Sequence, residues 1–213
     1  MPRNSTAAPR RRLIVASANP GKLREFRALL AELPFAMTSL AELKLPSPEE
    51  TGGSFLENAL LKARHAAALS ESAAVADDSG LEVDALGGAP GIYSARYAGS
   101  SADDEANNVK LINALRGVPR DRRQARYRCA LVFAENAQDP KPLVAEADWE
   151  GFILDAPQGT GGFGYDRYFW LPDLNKTAAE LAPAEKNRLS HRGKAMRALR
   201  EQLQTRAKLE LAQ

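Results

Sequence analysis

The chain has 213 residues, of which 44% are hydrophobic and 26% are charged, so its composition is that of a globular protein rather than a disordered one. Its 29 basic and 27 acidic side chains leave a net charge of +2, which favours neither a nucleic-acid surface nor a membrane surface. The chain contains one cysteine, Cys129, so an intrachain disulfide framework is not expected. Since it contains only two histidines in addition, a zinc site is not expected either. This cysteine usage predicts a reducing compartment, and we expect a cytoplasmic location.

The first residues, 1–12, are rich in proline, arginine and serine and lack the apolar core of a secretory signal. No stretch reaches the length of a transmembrane helix, and we find no internal repeat or interdomain linker. The sequence therefore predicts a flexible N-terminal tail over 1–12 and one domain, of one or two closely joined lobes, over 13–213.

The first predicted unit is a strand over 13–16, a turn over 17–21 and a helix over about 22–33. The helix has an apolar face of Phe26, Leu29, Leu30 and Leu33, and its charged residues Arg24, Glu25 and Arg27 are expected to face elsewhere. Gly21 and Lys22 at its start suggest a phosphate site, because helix N-terminal N–H groups and lysine both attract oxyanions. The segment is not a P-loop, since Ala16 and Leu23 stand where glycine and serine or threonine would be needed. Such a turn is more often structural.

Two further helices are expected between residues 55 and 116. The first, over about 55–69, buries Leu56, Leu60, Ala63 and Ala67 and gives Asn58, Lys62 and His65 a shared polar face. The second, over about 102–116, opens with a capping-box pattern at 101–104 and ends at Gly117. We expect the second helix to be scaffold.

The residues Asp77, Asp78, Ser79 and Gly80 follow the apolar run 73–76, where we expect a strand to end. Paired carboxylates at such a place usually hold a cation or activate a water, and Mg²⁺ suits carboxylate oxygens and travels with substrate phosphates. Successive strand side chains point to opposite faces, so only one of the two acids can aim straight into a cleft. The alternative is a purely polar turn.

Two more charged segments are candidates for a site. Glu50 precedes the helix at 55–69 and could join Asp78 around a metal, although acidic residues before a helix are also common because of the helix dipole. His191 and Arg192 are donors at the start of a long C-terminal helix, which Ser190 caps. The apolar face of that helix is Met196, Leu199 and Leu203, and a solvated surface is the alternative for the His-Arg pair.

The second half of the chain contains three predicted strands. Side chains alternate over 126–133, with Tyr127, Cys129, Leu131 and Phe133 on one side and Cys129 as a core thiol, and further strands are expected at 151–154 and 165–171. The intervening segment 159–164 matches the dinucleotide fingerprint G-x-G-x-x-G, but a strand-like segment follows it where a helix would be required. Its glycines allow close approach to a ligand and Phe163 offers a face for a flat base, whereas a flexible hairpin is the alternative.

Taken in order, these blocks resemble the inosine/xanthosine triphosphate pyrophosphatase family over about 13–203. The blocks are 17–22, 49–52, 57–63, 77–81, 88–97, 159–166 and 190–193. The chain departs from the family pattern at two places. Arg167 stands where the family often has proline, and the loop 44–48 is particular to this chain.

This resemblance implies an α/β fold with a mixed, elongated sheet flanked by helices, in two lobes with the active site in the cleft between them. It also implies a homodimer and Mg²⁺-dependent hydrolysis of nonstandard purine nucleoside triphosphates (ITP, dITP, XTP) to the monophosphate and pyrophosphate, which cleanses the nucleotide pool. Asp78 would be the catalytic proton acceptor, and Glu50 and Asp78 would hold the metal. The residues expected to contact the triphosphate are Ser17, Ala18, Asn19, Pro20, Gly21 and Lys22, with Ser79 also touching substrate. Those expected to recognise the base are Phe163, Gly164, Tyr165, Asp166, Lys186, His191 and Arg192.

Lys62 is added to the substrate-binding set because of its place on the helix face. Cationic donors such as Arg192 or Lys186 would pair with the 6-oxo group of hypoxanthine or xanthine and oppose the amino group of adenine. Three alternatives stay open: a nucleotide-binding regulator, a dinucleotide-dependent oxidoreductase, and a pyrophosphatase for modified pyrimidine triphosphates. The adjacent acids disfavour the regulator, because negative charge beside phosphates is useful only with a metal.

Overall fold

The computed structural model describes residues 10–17, 19–31 and 33–211, with the side chains of 209–211 excepted. Within this part of the chain, seven strands form one sheet of order β2-β1-β3-β4-β5-β6-β7. The strands are β1 (Arg11–Val15), β2 (Phe35–Ser39), β3 (Ala73–Val83), β4 (Gln124–Ala134), β5 (Leu143–Ile153), β6 (Phe169–Leu171) and β7 (Lys176–Thr177). The α-helices described are α1 (Pro20–Leu29), α2 (Phe55–Ser70), α3 (Asp104–Ala114), α4 (Pro183–Leu189) and α5 (His191–Leu211).

The sheet is mixed, as predicted. Strand β1 pairs in parallel with β2 and β3, whereas β3, β4 and β5 pair antiparallel over long registers. Strand β1 begins at Arg11, two residues before the predicted start of the strand and of the domain at residue 13, and the tail residues 1–9 lie outside the described residues. Among the described helices, none has the length and apolar character needed to cross a bilayer.

Hydrophobic cores lie on both faces of the sheet because strand side chains alternate. Leu13 and Val15 of β1 belong to the core under α1 and α5, and Ile14 belongs to the core under α2. The predicted apolar face of α5 is confirmed, with Met196, Leu199 and Leu203 all buried. On α2, Ala63 and Ala67 are buried as predicted, but Leu56 and Leu60 are only half-buried.

Strand β4 confirms the prediction made from alternation. Tyr127, Cys129, Leu131 and Phe133 are all buried on one side of the strand. Burial raises the pKa of the Cys129 thiol to about 12. Since the thiolate is the reactive form, Cys129 is an unreactive core residue.

The boundaries of four predicted elements were wrong. Helix α1 ends at Leu29, and α3 begins at Asp104 with Asp103 as its N-cap, whose Oδ1 accepts from Ala106 N at 2.8 Å. Of the strand expected over 165–171, only Phe169–Leu171 pairs with the sheet, because Tyr168 N and Phe169 N donate to Tyr165 O in a turn. Strand β5 starts at Leu143 rather than at 151, and neither β2 nor α4 was predicted.

Asp77, Asp78, Ser79 and Gly80 do not end a strand, and the polar-turn interpretation is wrong. Strand β3 runs through them to Val83, since β4 pairs with it without a break from Ala74↔Ala134 to Val83↔Ala125. The antiparallel partner continues after the parallel partner β1 has ended. The two acids therefore lie in the middle of the sheet, one on each face.

Candidate active site

The sheet divides the charged residues into two clusters, which meet at β3. Asp77 and Ser79 point to the face that carries α1 and α5, and Asp78 points to the face that carries α2. We call the residues around Asp78 the α2-side cluster and those around Asp77 the α5-side cluster. The α2-side cluster comprises Glu50, Asn58, Lys62, Asp78 and Arg96, and the α5-side cluster comprises Lys22, Glu25, Asp77, Ser79, Lys186 and Arg192.

In the α2-side cluster, Lys62 joins two carboxylates. Its Nζ lies 2.8 Å from Asp78 Oδ1 and 3.2 Å from Glu50 Oε1. Glu50 Oε2 accepts a hydrogen bond from Arg96 Nη1 at 2.5 Å. Asp78 Oδ2 accepts a hydrogen bond from Asn58 Nδ2 at 3.2 Å. Asn58 and Lys62 are four residues apart on α2 and thus share one face. The predicted polar face of this helix is real for these two residues, but it is buried rather than solvated.

The pKa values of the two acids in this cluster are shifted in opposite directions. Burial raises the pKa of Asp78, and the ammonium of Lys62 offsets only part of that effect. Burial acts in the same direction on Glu50, but Lys62 and Arg96 outweigh it and the pKa of Glu50 is lowered. Burial opposes the charge of Lys62, yet Asp78, Asp77 and Glu50 raise its pKa, so Lys62 stays cationic at neutral pH.

The donor set of this cluster fits a magnesium ion. Mg²⁺ in proteins usually takes one or two carboxylates and completes its shell with water and substrate phosphates. Glu50 and Asp78 already converge on one cation, the Lys62 ammonium, so two hard oxygen ligands are aimed at a common point. Among the described residues, no group of three or more His, Cys, Asp or Glu side chains could hold a metal ion by itself.

In the α5-side cluster, Asp77 is a buried acid between two cations. Lys22 Nζ lies 2.9 Å from its Oδ2 and Arg192 Nε 3.2 Å from the same oxygen, which also accepts from Ser79 Oγ at 3.0 Å. Arg192 further donates to Ser79 Oγ at 2.8 Å and pairs with Glu25. Burial opposes ionisation of Asp77, but Lys22 and Arg192 together bring its pKa well below the usual range.

A cavity opens beside this cluster and is closed on one side by the glycine-rich segment. The Phe163 ring lies 4.6 Å from Lys186 Nζ and 5.8 Å from the Arg192 guanidinium carbon. It also packs on α1, where a Cβ added to Gly21 would lie 2.7 Å from a Phe163 ring carbon. Only glycine leaves room for the ring at this place. The cavity is lined by Asn19, Lys22, Ser79, Gly80, Ser94, Ala95, Asp104, Asn107, Tyr127, Phe163, Gly164, Tyr165, Asp166, Lys186, His191 and Arg192.

Asp166 holds the cavity wall together. Its Oδ2 accepts from Lys186 Nζ at 2.6 Å and from Phe163 N at 2.9 Å, and its Oδ1 accepts from Tyr127 Oη at 3.3 Å. Tyr165 turns its hydroxyl away to donate to Ser94 O at 2.7 Å. Asp166 thus holds the Lys186 ammonium and the backbone of the glycine-rich segment by hydrogen bonds. The Tyr165 hydroxyl connects the same segment to the backbone of Ser94.

His191 lines the cavity and has a buried ring nitrogen, Nδ1, without a hydrogen-bond partner among the described residues. Its ring stacks on Tyr127 at 4.7 Å between centroids. Burial, followed by the nearby charges of Arg192 and Lys186, lowers the pKa of His191 well below its ordinary value. The ring is therefore neutral, and one of its nitrogens is an acceptor.

At the start of α1, two backbone donors are already occupied. Asn19 is the N-cap, and its Oδ1 accepts from Gly21 N at 2.8 Å and Lys22 N at 3.1 Å, with Pro20 in the first turn. Ser17 Oγ in turn accepts from Asn19 N at 3.2 Å. Ala18, expected to bind the triphosphate, lies outside the described residues.

Comparison with known proteins supports the motif pattern. The Ham1 family model matches residues 13–202 of the chain. The chain belongs to the Ham1 family. A dITP/XTP pyrophosphatase of Thioalkalivibrio sulfidiphilus (strain HL-EbGR7) is 53% identical over 195 residues, 92% of this chain and 100% of that protein. The resemblance to triphosphate pyrophosphatases that the sequence predicted is thereby confirmed.

Solved structures of Ham1 proteins have the same fold. A HAM1 protein from Coxiella burnetii is 44% identical and superposes with a TM-score of 0.84, covering 91% of this chain and 98% of that chain. A structure described as nucleoside-triphosphatase / dITP/XTP pyrophosphatase from Mycobacterium abscessus is 42% identical, with a TM-score of 0.70 and coverage of 88% and 98%. The α/β assignment with a mixed sheet is confirmed by these neighbours.

In this Ham1 family chain, the predicted site residues lie on both faces of β3 rather than at one point. Ten of the predicted substrate residues line the cavity. Glu50, Lys62 and the predicted proton acceptor Asp78 lie on the opposite face of β3. The roles assigned to individual residues stay predictions.

Among the residues of the two clusters and the cavity wall that received no role in the sequence analysis are Glu25, Asn58, Arg96 and Tyr127. Glu25 was expected only to face away from the apolar side of α1 and was given no role, whereas it pairs with Arg192 and lies 3.5 Å from Lys186 Nζ. Its spacing from Lys22, three residues along the helix, was the available signal. Asn58 was seen as polar but given no role, and nothing local marks Arg96 as a partner of Glu50.

Proposed function

We propose that this protein is a Mg²⁺-dependent pyrophosphohydrolase of nonstandard purine nucleoside triphosphates, which releases the nucleoside monophosphate and pyrophosphate. One observation carries the proposal: a single strand, β3, presents an acid with a raised pKa to a carboxylate–lysine cluster on one face and borders a donor-lined cavity on the other. The first cluster has the chemistry for phosphate hydrolysis. The cavity has the chemistry for a flat, oxygen-bearing base.

The activity class is supported by the family. Relatives at 53% and 52% identity, from Thioalkalivibrio sulfidiphilus and Escherichia coli O157:H7, are both named dITP/XTP pyrophosphatase. This chain is accordingly an enzyme, a nucleoside triphosphate pyrophosphohydrolase. It would act on the nucleotide pool in the cytoplasm, and its lone buried thiol, Cys129, is compatible with a reducing compartment.

On the phosphate side, Asp78 would accept the proton of the attacking water. Its raised pKa makes it a better base than an ordinary carboxylate, and Lys62 holds it in place. Lys62, Arg96 and Lys22 supply positive charge for a triphosphate, which carries about four negative charges. When bound at Glu50 and Asp78, magnesium would add neutralisation of the phosphate oxygens.

On the base side, the cavity would select for a 6-oxo group. Lys186 and Arg192 carry only donors, so an acceptor is matched and the amino group of adenine is not. The aromatic ring of Phe163 gives a flat base an apolar face to pack on. A donor that faces a donor loses a hydrogen bond in a buried place, and such mismatches discriminate strongly.

The product test addresses the proposal directly. With ITP, dITP or XTP and Mg²⁺, we expect pyrophosphate and the monophosphate as primary products, followed by ³¹P NMR, and much slower turnover of ATP. EDTA should abolish turnover and added Mg²⁺ should restore it. Orthophosphate and diphosphate as first products would contradict the proposed reaction, and full activity in metal-free buffer would remove Glu50 and Asp78 from their metal role.

The base-reading role is tested by Lys186→Met, which keeps the apolar stem and removes the ammonium beside Phe163 and Asp166. We expect the ITP/ATP ratio of kcat/KM to fall by about 10- to 100-fold, because a buried donor matched to the 6-oxo group is lost. Lys110→Met is the control, since Lys110 is exposed, does not line the cavity, and its Nζ donates to Tyr97 O at 2.5 Å and lies 4.4 Å from the centre of the Tyr97 ring. An unchanged ratio in Lys186→Met would exclude Lys186 as a reader.

Assembly is the remaining part of the proposal. The family resemblance implies a homodimer, and light scattering coupled to size-exclusion chromatography measures the mass directly. A mass of twice 23.1 kDa is expected. A concentration-independent monomer would contradict it.

A further inference from the structure

Asn58 is a fully buried polar residue of α2 that touches both acidic elements of the α2-side cluster. Its Nδ2 donates to Asp78 Oδ2 at 3.2 Å, and its Oδ1 accepts from Gly52 N at 2.8 Å, two residues after Glu50. We propose that Asn58 is a positioning residue, which fixes the direction of the Asp78 carboxylate and holds the Glu50 segment beside it. The inference rests on the proposed function, in which these two acids act on the phosphates.

The first part concerns the orientation of Asp78. One carboxylate oxygen accepts from Lys62 and the other from Asn58, and both donors lie on the same face of α2. A rotation of the carboxylate would therefore break at least one of the two hydrogen bonds. The lone pairs that are left point in a fixed direction, as a base that must meet a water at hydrogen-bond distance requires.

The second part concerns the Glu50 segment. A Cβ added to Gly52 would lie 2.7 Å from Asn58 Oδ1, so the backbone at Gly52 packs directly on the Asn58 amide. Lys62, one helical turn further along α2, holds the Glu50 side chain at 3.2 Å. One helix face thus sets the place of both carboxylates: Lys62 bonds to their side chains, and Asn58 bonds to the Asp78 side chain and to the backbone beside Glu50.

A purely packing role does not account for these contacts. A buried amide costs free energy unless its groups are hydrogen-bonded, whereas an apolar side chain would fill the same space without that cost. The two hydrogen bonds of Asn58 described above connect α2 to other elements. One joins it to Asp78 on β3, and the other joins it to Gly52 in the loop before the helix. The side chain therefore links three elements at the acids.

The test uses two variants and a matched control. Asn58→Ala removes both hydrogen bonds, and Asn58→Asp keeps the volume and the acceptor for Gly52 N but places an oxygen where Asp78 needs a donor. The control is Asp139→Ala in the turn between β4 and β5. Asp139 is also buried and accepts two backbone hydrogen bonds, from Glu135 N and Lys141 N at 2.9 Å each, but lies outside both clusters.

Both Asn58 variants should lower kcat for ITP by about 10- to 100-fold, the usual effect of losing a partner that orients a ligating side chain, with a much smaller change in KM. The Mn²⁺ concentration for half-maximal thermal stabilisation, measured with an α,β-methylene analogue of ITP, should rise about 10-fold. Asp139→Ala should lose thermal stability while keeping kcat and the Mn²⁺ midpoint.

The outcomes separate two kinds of failure. Wild-type kcat and an unchanged Mn²⁺ midpoint in Asn58→Asp, or a loss of activity in Asn58→Ala that follows its unfolded fraction alone, would overturn the positioning role. A wild-type enzyme that releases no pyrophosphate from any purine triphosphate would instead refute the proposed function, and with it this inference.

Discussion

Asp78→Asn is expected to lower kcat/KM for ITP by about two to four orders of magnitude, because an amide cannot accept the proton of the attacking water. The amide is also a poorer magnesium ligand than a carboxylate, which adds to the loss. The side chain keeps its size, so the fold should survive. Steady-state rates for ITP, together with the thermal unfolding midpoint, measure the two effects separately.

Asp148→Asn is the matched control for this substitution. Asp148 lies on β5 in the same sheet and pairs with Arg128 at 3.1 Å on the exposed surface, away from Lys62 and the cavity. Its substitution should leave kcat/KM unchanged. If Asp78→Asn turned over ITP at a near-wild-type rate, or lost activity only by unfolding, Asp78 would not be the proton acceptor.

The parts of the fold that depend on local patterns could be predicted from the sequence. The alternation around Cys129 predicted β4, and the helical spacing of Met196, Leu199 and Leu203 predicted the apolar face of α5. Strand β3 was cut short because acids and glycine have low strand propensity. Pairing with β4 and cations from distant segments override that local preference.

The site could be predicted only as a set of residues, not as an arrangement. The motifs gave Asp77 and Asp78 together, and strand alternation predicted that only one of them faces a given cleft. Which cations meet each acid follows only from the folded chain, where Lys22 pairs with Asp77 and Lys62 with Asp78. Glu25 lies on the non-apolar side of α1, to which the helical pattern gave no role. Its partner Arg192 is 167 residues away in sequence, so no local pattern places one beside the other.

Asp77→Asn is expected to be the most damaging of these substitutions to stability, with a loss of about 3–5 kcal/mol in the free energy of unfolding. The Asp77 side chain has 0% exposure and balances Lys22 and Arg192, whose own side chains are 16% and 3% exposed. Removing its charge leaves two poorly hydrated cations near one another, of which Arg192 keeps Glu25 as an ion-pair partner. Asp78→Asn should cost less, about 1–3 kcal/mol, because Lys62 keeps Glu50 as a partner.

The pH dependence gives a second check on Asp77. Its pKa in the folded protein lies well below the value of 3.8 for an unperturbed carboxyl, so its stabilisation is present above that pH and is lost only as the pH falls toward the folded pKa. The difference between wild type and Asp77→Asn in urea unfolding should therefore be as large at pH 5 as at pH 7.5. The exposed control Asp148→Asn should stay within about 0.5 kcal/mol of wild type. A loss of less than about 1 kcal/mol in Asp77→Asn would mean that Arg192 and Lys22 find other compensation, and that the α5-side cluster does not depend on Asp77.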